Sequence, residues 1–479
     1  MNGEDLAWPI LAFLFCLLAL AHPIDHDESQ YVAAAVLTAH GLTPYRDYAY
    51  LQTPLQPFLF APLAWAAGTV TWPALRMANA LFGALAIRCV HGAAREVASR
   101  RAALAATALF GCTDILLFSI GTARNDALPA ACLAGALWLA VRAEKRATTR
   151  RAALAVGLLL VSAAAAKISY ALPAAAYGLW ALARPRHRPA FVALGALLPV
   201  LFVGWTYLLS PEGFIFGVWT FPREAPLDWY ADRPWKLSLA AKLGDTLKFL
   251  ALGPALLAMA LSLFRRRLPA MLLLLTLAGL LAALLPTPTW RQYLLPMLPP
   301  LFVMLAHRWT LQPPGEAVRT VAVIFAAAGL APTLFALASG APGMVVAARE
   351  GNALAAVVNL AVPRHTIATL SPQFAPFAGS LPDARFATGP FFFRNRALAL
   401  PAPEEALHLL SRRSLADASL PNVILIGGEG AWTGGDARLD ALLEAEARRR
   451  GYRPHAVGRW RVWIMLTILP EESLSDPNR

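Results

Sequence analysis

Residues 7–31 read AWPILAFLFCLLALAHPIDHDESQY. Eighteen residues with no Asp, Glu, Lys or Arg are followed at once by Asp25, His26, Asp27 and Glu28. An apolar run of this length is a first membrane span when its neighbours cover its ends. It has no basic leader and no small-residue cleavage site, so it reads as an uncleaved span rather than a signal peptide. The acids that follow lie at the membrane surface, where a partly desolvated carboxylate needs a partner. This junction of span and acidic segment sets the reading of the whole chain.

Working outward, similar apolar blocks recur at 152–166, 190–209, 271–285 and 321–337. Of the 479 residues 58% are hydrophobic and only 15% charged, against roughly 25% charged in soluble proteins. Mean hydropathy is +0.52. The net charge of +13 does not imply nucleic acid, because the basic residues form no single stripe. They fall in short clusters between the blocks: Arg95, Arg100 and Arg101; Arg142, Lys145, Arg146, Arg150 and Arg151; Arg184, Arg186 and Arg188; Arg265, Arg266 and Arg267. Such clusters mark cytoplasmic loops. Placing all of them on one side predicts about eleven spans, at 7–22, 74–94, 102–121, 126–142, 152–166, 168–183, 190–209, 243–263, 268–285, 292–309 and 317–339. Residues 23–73 then form a first outer loop, with a helix near 28–40 and a short apolar segment at 56–67.

The four cysteines, Cys16, Cys89, Cys112 and Cys132, all fall in expected spans and have no metal-ligand spacing, so they read as small apolar residues. After about residue 341 no block is long enough to span. Val423–Ile426 and 460–468 read as strands and 437–450 as an amphipathic helix. The expected fold class is an α-helical polytopic membrane protein, residues 1–340, with a small C-terminal α/β domain, residues 341–479, on the outer face.

This topology puts Asp27, Asp126, Lys167 and Arg291 on one side. Asp27 and Glu28 also suit the N-terminus of the helix that follows, and Asp126 the start of the next span. Capping and chemistry therefore both stand as readings. Lys167 and Arg291 suit snorkelling or phosphate binding. Arg46 and Tyr48, in GLTPYRDYAY, suit the same surface or a headgroup anchor. No nucleotide loop, HExxH, GxSxG or paired CxxC occurs, which excludes an ATP-driven pump. Asp25, His26, Asp27 and Glu28 are also of the residue types that hold a divalent ion, though local spacing alone does not specify one.

The order of these motifs resembles the GT-C superfamily of membrane glycosyltransferases, and within it the aminoarabinose transferases and protein O-mannosyltransferases. Over residues 7–310 come a first span, Asp27-Glu28-Ser29-Gln30-Tyr31, Gly41 to Tyr48, the Pro-rich Gln52-Thr53-Pro54-Leu55-Gln56-Pro57, a second acid Asp126, Lys167, and Arg291 to Pro299. The resemblance implies transfer of a sugar from a polyprenyl-phosphate donor to a lipid, glycan or protein acceptor. The reaction would run with inversion at the outer (periplasmic) face of the inner membrane. It assigns catalysis to Asp27 as general base, with Glu28 and Asp126. It assigns donor phosphate to Lys167, Arg291 and Arg46, and substrate contact to Tyr31, Tyr48, Gln52 and Tyr293. No metal ligand is assigned, and the divalent ion stays open. One departure stands out. Aminoarabinose transferases carry Lys-Pro-Pro in the Pro-rich segment, and here Gln52 stands near that lysine's place. The stretch Ala387–Arg394 is expected to fold back toward the site. A transporter or flippase of a lipid-linked saccharide, or a non-catalytic membrane assembly protein, are the alternatives. The first would require spans broken or charged at mid-depth.

Overall fold

The computed structural model describes residues 3–263, 269–340, 343–361, 366–396, 398–429 and 436–465. The cluster Arg265–Arg267 and the end of the expected last strand, 466–468, lie outside them.

Every expected span has a helical counterpart. The first is Gly3–Ala21, and the last is Glu316–Ala338. Among the described residues, four helical runs can cross a membrane by length and composition: Leu55–Val97, Ala127–Lys145, Pro189–Leu209 and Glu316–Ala338. Two bent pairs raise that to six, and Ala7–Ala21, Ile168–Leu182 and Ala270–Leu284 are shorter apolar helices. The protein is thus a multi-pass membrane protein. Two of the expected spans are not straight. Arg100–Gly111 and Asp114–Ile120 meet at 63°, and Leu239–Ala251 and Ala255–Leu263 at 99°. The second break has a local cause. Pro254 has no N–H to donate and Gly253 takes φ +129°, a conformation that favours glycine. The two breaks touch: Asp114 N donates to Leu252 O at 3.3 Å. A Cβ on Gly329 would lie 1.9 Å from Cys112 O, so Glu316–Ala338 also packs on this corner.

Small residues let the helices approach closely. Ala127–Lys145 is packed between Thr71–Val97 and Arg150–Ala166 and buries twelve residues along its length, seven of them alanine. Gly157 and Gly195 lie where Arg150–Ala166 and Pro189–Leu209 cross, each against a backbone carbonyl of the other helix.

The loop after the first helix holds the helix Glu28–Ala39, buried from Glu28 to Leu37. The helix Leu55–Ala67 packs against it and leads on toward Thr71–Val97.

After the helix Met344–Ala361 comes a five-stranded sheet. Its strands are β1 (Thr366–Ala368), β2 (Leu381–Pro382), β3 (Val423–Ile426), β4 (Arg453–Val457) and β5 (Trp460–Ile464), in the order β2-β1-β3-β5-β4. β1 runs parallel to β2 and β3, while β5 is antiparallel to β3 and β4. Alternate residues serve opposite faces. Ile424, Ile426 and Trp463 meet Leu439, Leu443 and Ala447 of the helix Ala437–Arg449. Val423, Leu425, Trp460 and Val462 instead share a core with Phe374, Trp72, Val32 and Ile24. The sheet is therefore seated on this first loop.

Candidate active site

The site is built on the turn at residues 121–126, which its neighbours hold by its backbone. Asn79 Nδ2 donates to Thr122 O and to Arg124 O, both at 2.7 Å. Gln56 Nε2 donates to Arg124 O at 3.2 Å. Ala123 N donates to Glu28 Oε2 at 3.0 Å. From this turn the Arg124 side chain, 5% exposed, reaches three carboxylates. Its Nη1 donates to Asp25 Oδ1 at 3.0 Å and pairs with Asp27. Its Nε donates to Asp126 Oδ2 at 3.3 Å. Lys167 Nζ holds the other Asp126 oxygen and lies 5.5 Å from the Tyr293 ring centre. His26 Nε2 lies 3.0 Å from Asp27 Oδ1.

Neither aspartate caps its helix. Asp27 and Asp126 occupy the position before Glu28–Ala39 and Ala127–Lys145, yet neither side chain accepts a bond from the helix end. Their oxygens turn to Arg124 instead. Burial alone would raise the Asp25 carboxyl, but Arg124 and His26 outweigh it and hold the group below the usual carboxylate range. Burial works against the Arg124 charge too, and Asp27, Asp25 and Asp126 together more than restore it. The result is a network of opposite charges at hydrogen-bond range in a largely buried place.

Glu28, read from the sequence as a member of the site, is held by donors on every side. It is fully buried and takes Arg76 Nε at 2.8 Å, Trp72 Nε1 at 2.7 Å, Ala123 N and Asp25 N at 3.0 Å, with Arg76 Nη2 on its second oxygen. Five donors fill the lone pairs of both oxygens, so Glu28 anchors the loop. Tyr48 is an anchor also: its hydroxyl lies 2.8 Å from Thr38 Oγ1 and donates to Ala34 O at 3.2 Å. Arg46 stands apart from the cluster. It pairs with Asp47 at 2.7 Å and is 49% exposed.

The remaining expected residues do gather. Gln52 Oε1 accepts from Asn125 Nδ2 at 3.2 Å. Tyr31 is buried one residue-turn beyond Asp27 and packs edge-on against Tyr50. Arg291 Nη1 donates to Asp114 Oδ2 at 2.9 Å, and its guanidinium is 3.5 Å from the Phe118 ring centre. Arg124 faces the same ring at 5.2 Å, so one aromatic side chain links the two guanidinium groups. The stretch Ala387–Arg394 does reach the site. Phe391 stacks on His26 at 5.4 Å, and a Cβ on Gly389, which has φ +58°, would strike Ser29 Oγ at 2.4 Å.

No protein-family model matches the chain, and no curated protein does. Solved structures do. ArnT from Cupriavidus metallidurans bound to undecaprenyl phosphate superposes with TM-score 0.63 at 15% identity, covering 97% of this chain and 98% of that one. Its apo state gives 0.62 over 96% and 98%. The chain has the fold of these ArnT structures. The arabinofuranosyltransferase AftD from Mycobacteria agrees, with TM-score 0.57 at 14% identity over 95% of this chain and 39% of that one. Within this fold the Arg124 cluster joins the first loop to the turn a hundred residues later.

Sequence reading missed three members of the site. Arg124 was visible only as the residue two before Asp126. A guanidinium in a turn between apolar helices is itself a signal that carboxylates converge there. Arg76 carries the same signal, inside Thr71–Val97. Phe118 carries none, since an aromatic residue in an apolar helix reads as core.

Proposed function

We propose that the protein is a glycosyltransferase that moves a sugar from a polyprenyl-phosphate donor to an acceptor hydroxyl, or another acceptor oxygen, at the periplasmic face of the inner membrane, with inversion. The observation that carries this is the Asp27 carboxylate. It sits partly exposed in a charged, largely buried cluster, free of any capping duty, in a fold shared with an ArnT that binds undecaprenyl phosphate.

The step balances as follows. Asp27 takes the proton of the acceptor O–H. The freed oxygen pair forms the new bond to the anomeric carbon from the face opposite the phosphate. The old carbon–oxygen bond breaks with its pair going to polyprenyl phosphate, which leaves as an anion. Phosphate is a good leaving group, so the protein supplies orientation and charge rather than a strong acid. Arg291, 30% exposed at its side chain, is the group within reach of that phosphate. Lys167 acts through Asp126, whose oxygen it holds. Tyr31, Tyr293 and Gln52 line the approach. Arg46 has no part in this reading. Residues 1–340 would carry the reaction, with 341–479 covering it through Phe391.

The breaks near Thr113 and Gly253 are the feature a transporter would share. Here the first break positions Asp114 against Arg291 at the site. Two assays separate the readings. Purified protein given polyprenyl-phosphate sugars is expected to release polyprenyl phosphate and form a glycosidic product, read by mass spectrometry. Movement of the lipid across reconstituted vesicles with no product would support transport. Envelope glycans from cells with wild-type or Asp27→Asn copies would identify the acceptor, which is expected to lack one sugar in the variant.

A further inference from the structure

Asp25, His26 and Asp27 have the make-up of a metal site. One donor atom from each lies within 4.8 Å of the others, and Asp126 is added through Arg124. Carboxylates and imidazole are suitable ligands by type. The donor set nevertheless does not fit a resident ion. Arg124 already holds an oxygen of Asp25, of Asp27 and of Asp126, and Lys167 holds the other oxygen of Asp126. A divalent cation would have to take oxygens from a guanidinium and then sit beside it. Two positive side chains against three carboxylates leave a single negative charge, too little to hold two more positive ones.

What Arg124 does is what a bridging ion would do. It joins carboxylates from two segments about a hundred residues apart and fixes their oxygens relative to one another. It has advantages a bound ion lacks. A guanidinium does not lose its proton, and it cannot dissociate. Its backbone is held by Asn79 and Gln56, and the residue before it by Glu28.

We propose that Arg124 is a positioning residue that serves as the site's built-in cation, aligning Asp27 with Asp126, so that the reaction uses no dissociable divalent metal. The claim about transfer rests on the reading of Asp27 given above. The claim about the cation does not.

The test uses full-length protein in detergent, stripped with a chelator and titrated with Mn²⁺ followed by electron paramagnetic resonance. Wild type is expected to bind none at roughly 0.1 mM, a concentration that fills ordinary sensor sites, and to keep its full transfer rate after stripping. Arg124→Ala is expected to bind about one Mn²⁺, to lose that ion on adding Asp25→Asn, and to transfer roughly a hundredfold more slowly. Mn²⁺ is expected to restore about tenfold of that loss, a rescue that a purely structural role would not show. Arg124→Lys should bind no Mn²⁺. Stoichiometric Mn²⁺ on wild type that disappears in Asp25→Asn, loss of activity on stripping, or an Arg124→Ala that folds but binds no Mn²⁺ would each overturn the proposal. Should Arg124→Ala fail to fold, the wild-type titration decides alone. The titration decides also if no sugar donor is turned over, which separates failure of this proposal from failure of the transfer reading.

Discussion

Asp27 and Glu28 are adjacent in the chain and belong to two opposite regions of the molecule. Glu28 points into the protein, where it and Arg76 are both fully buried and every lone pair has a donor. Asp27 points to the Arg124 cluster, where its oxygens meet Arg124 and His26 and its side chain keeps some exposure. Both are carboxylates beside an arginine. The difference is saturation. A carboxylate with all its lone pairs used is a structural element, and one that is oriented yet reachable can take a proton.

That contrast predicts effects of different kinds and sizes. The largest is on stability. Arg76→Met leaves Glu28 buried without its cation and removes the donors to Ala19 O, His22 O and Pro23 O as well. Breaking a buried pair in this way costs about 3–5 kcal/mol, so the variant is expected to melt far earlier or fail to purify. A wild-type melting curve would erase the distinction between the two regions. Arg291→Ala leaves the buried Asp114 without its partner, so it should lower the melting temperature, less than Arg76→Met does, and raise KM for the polyprenyl-phosphate donor by roughly tenfold, the scale of one charge-assisted contact. An unchanged KM would remove Arg291 from the phosphate reading.

Acid acts more gently, on the Arg124 side. The Asp25 carboxyl is held below its ordinary range. Its contribution to stability is therefore full above the unfolded value and is lost as pH falls through the folded one. Melting temperature should decline in that acid window, and Asp25→Asn should flatten the decline. A steeper decline in the variant would contradict the pairing. The smallest effect belongs to Arg46→Ala. An exposed pair such as Arg46–Asp47 contributes about 0–1 kcal/mol, so transfer rate and melting temperature should both stay close to wild type. A hundredfold loss of rate would return Arg46 to the site.

How far the sequence disclosed this depends on the kind of information each part needs. Spans were legible because hydropathy is local, and β3 and the helix Ala437–Arg449 because their patterns are. β1 and β2 were not, since three and two residues carry no periodicity. The bends were missed because apolar composition continues through residues 112–113 and 252–254, although Gly253-Pro254 is a local break signal. At the site, residue types marked Asp27, Asp126, Lys167 and Arg291, which the structure gathers around Arg124 and Phe118. Partners could not be read. Nothing between residues 28 and 76 says that Glu28 belongs to Arg76, and nothing local says that Arg124 would take Asp27 away from capping. The same lack of partner information kept Arg46 among the candidates, because its salt bridge to the next residue is a matter of rotamer.

The most direct test pairs the two neighbours in one assay: transfer rate and melting temperature of Asp27→Asn beside Glu28→Gln. Asp27→Asn is expected to lose about 10²–10⁴-fold in kcat, the usual contribution of a positioned base, with melting little changed. Glu28→Gln is expected to lower the melting temperature and to lose activity only in proportion to the protein that unfolds. A folded Asp27→Asn that transfers sugar at the wild-type rate would contradict the account at its centre.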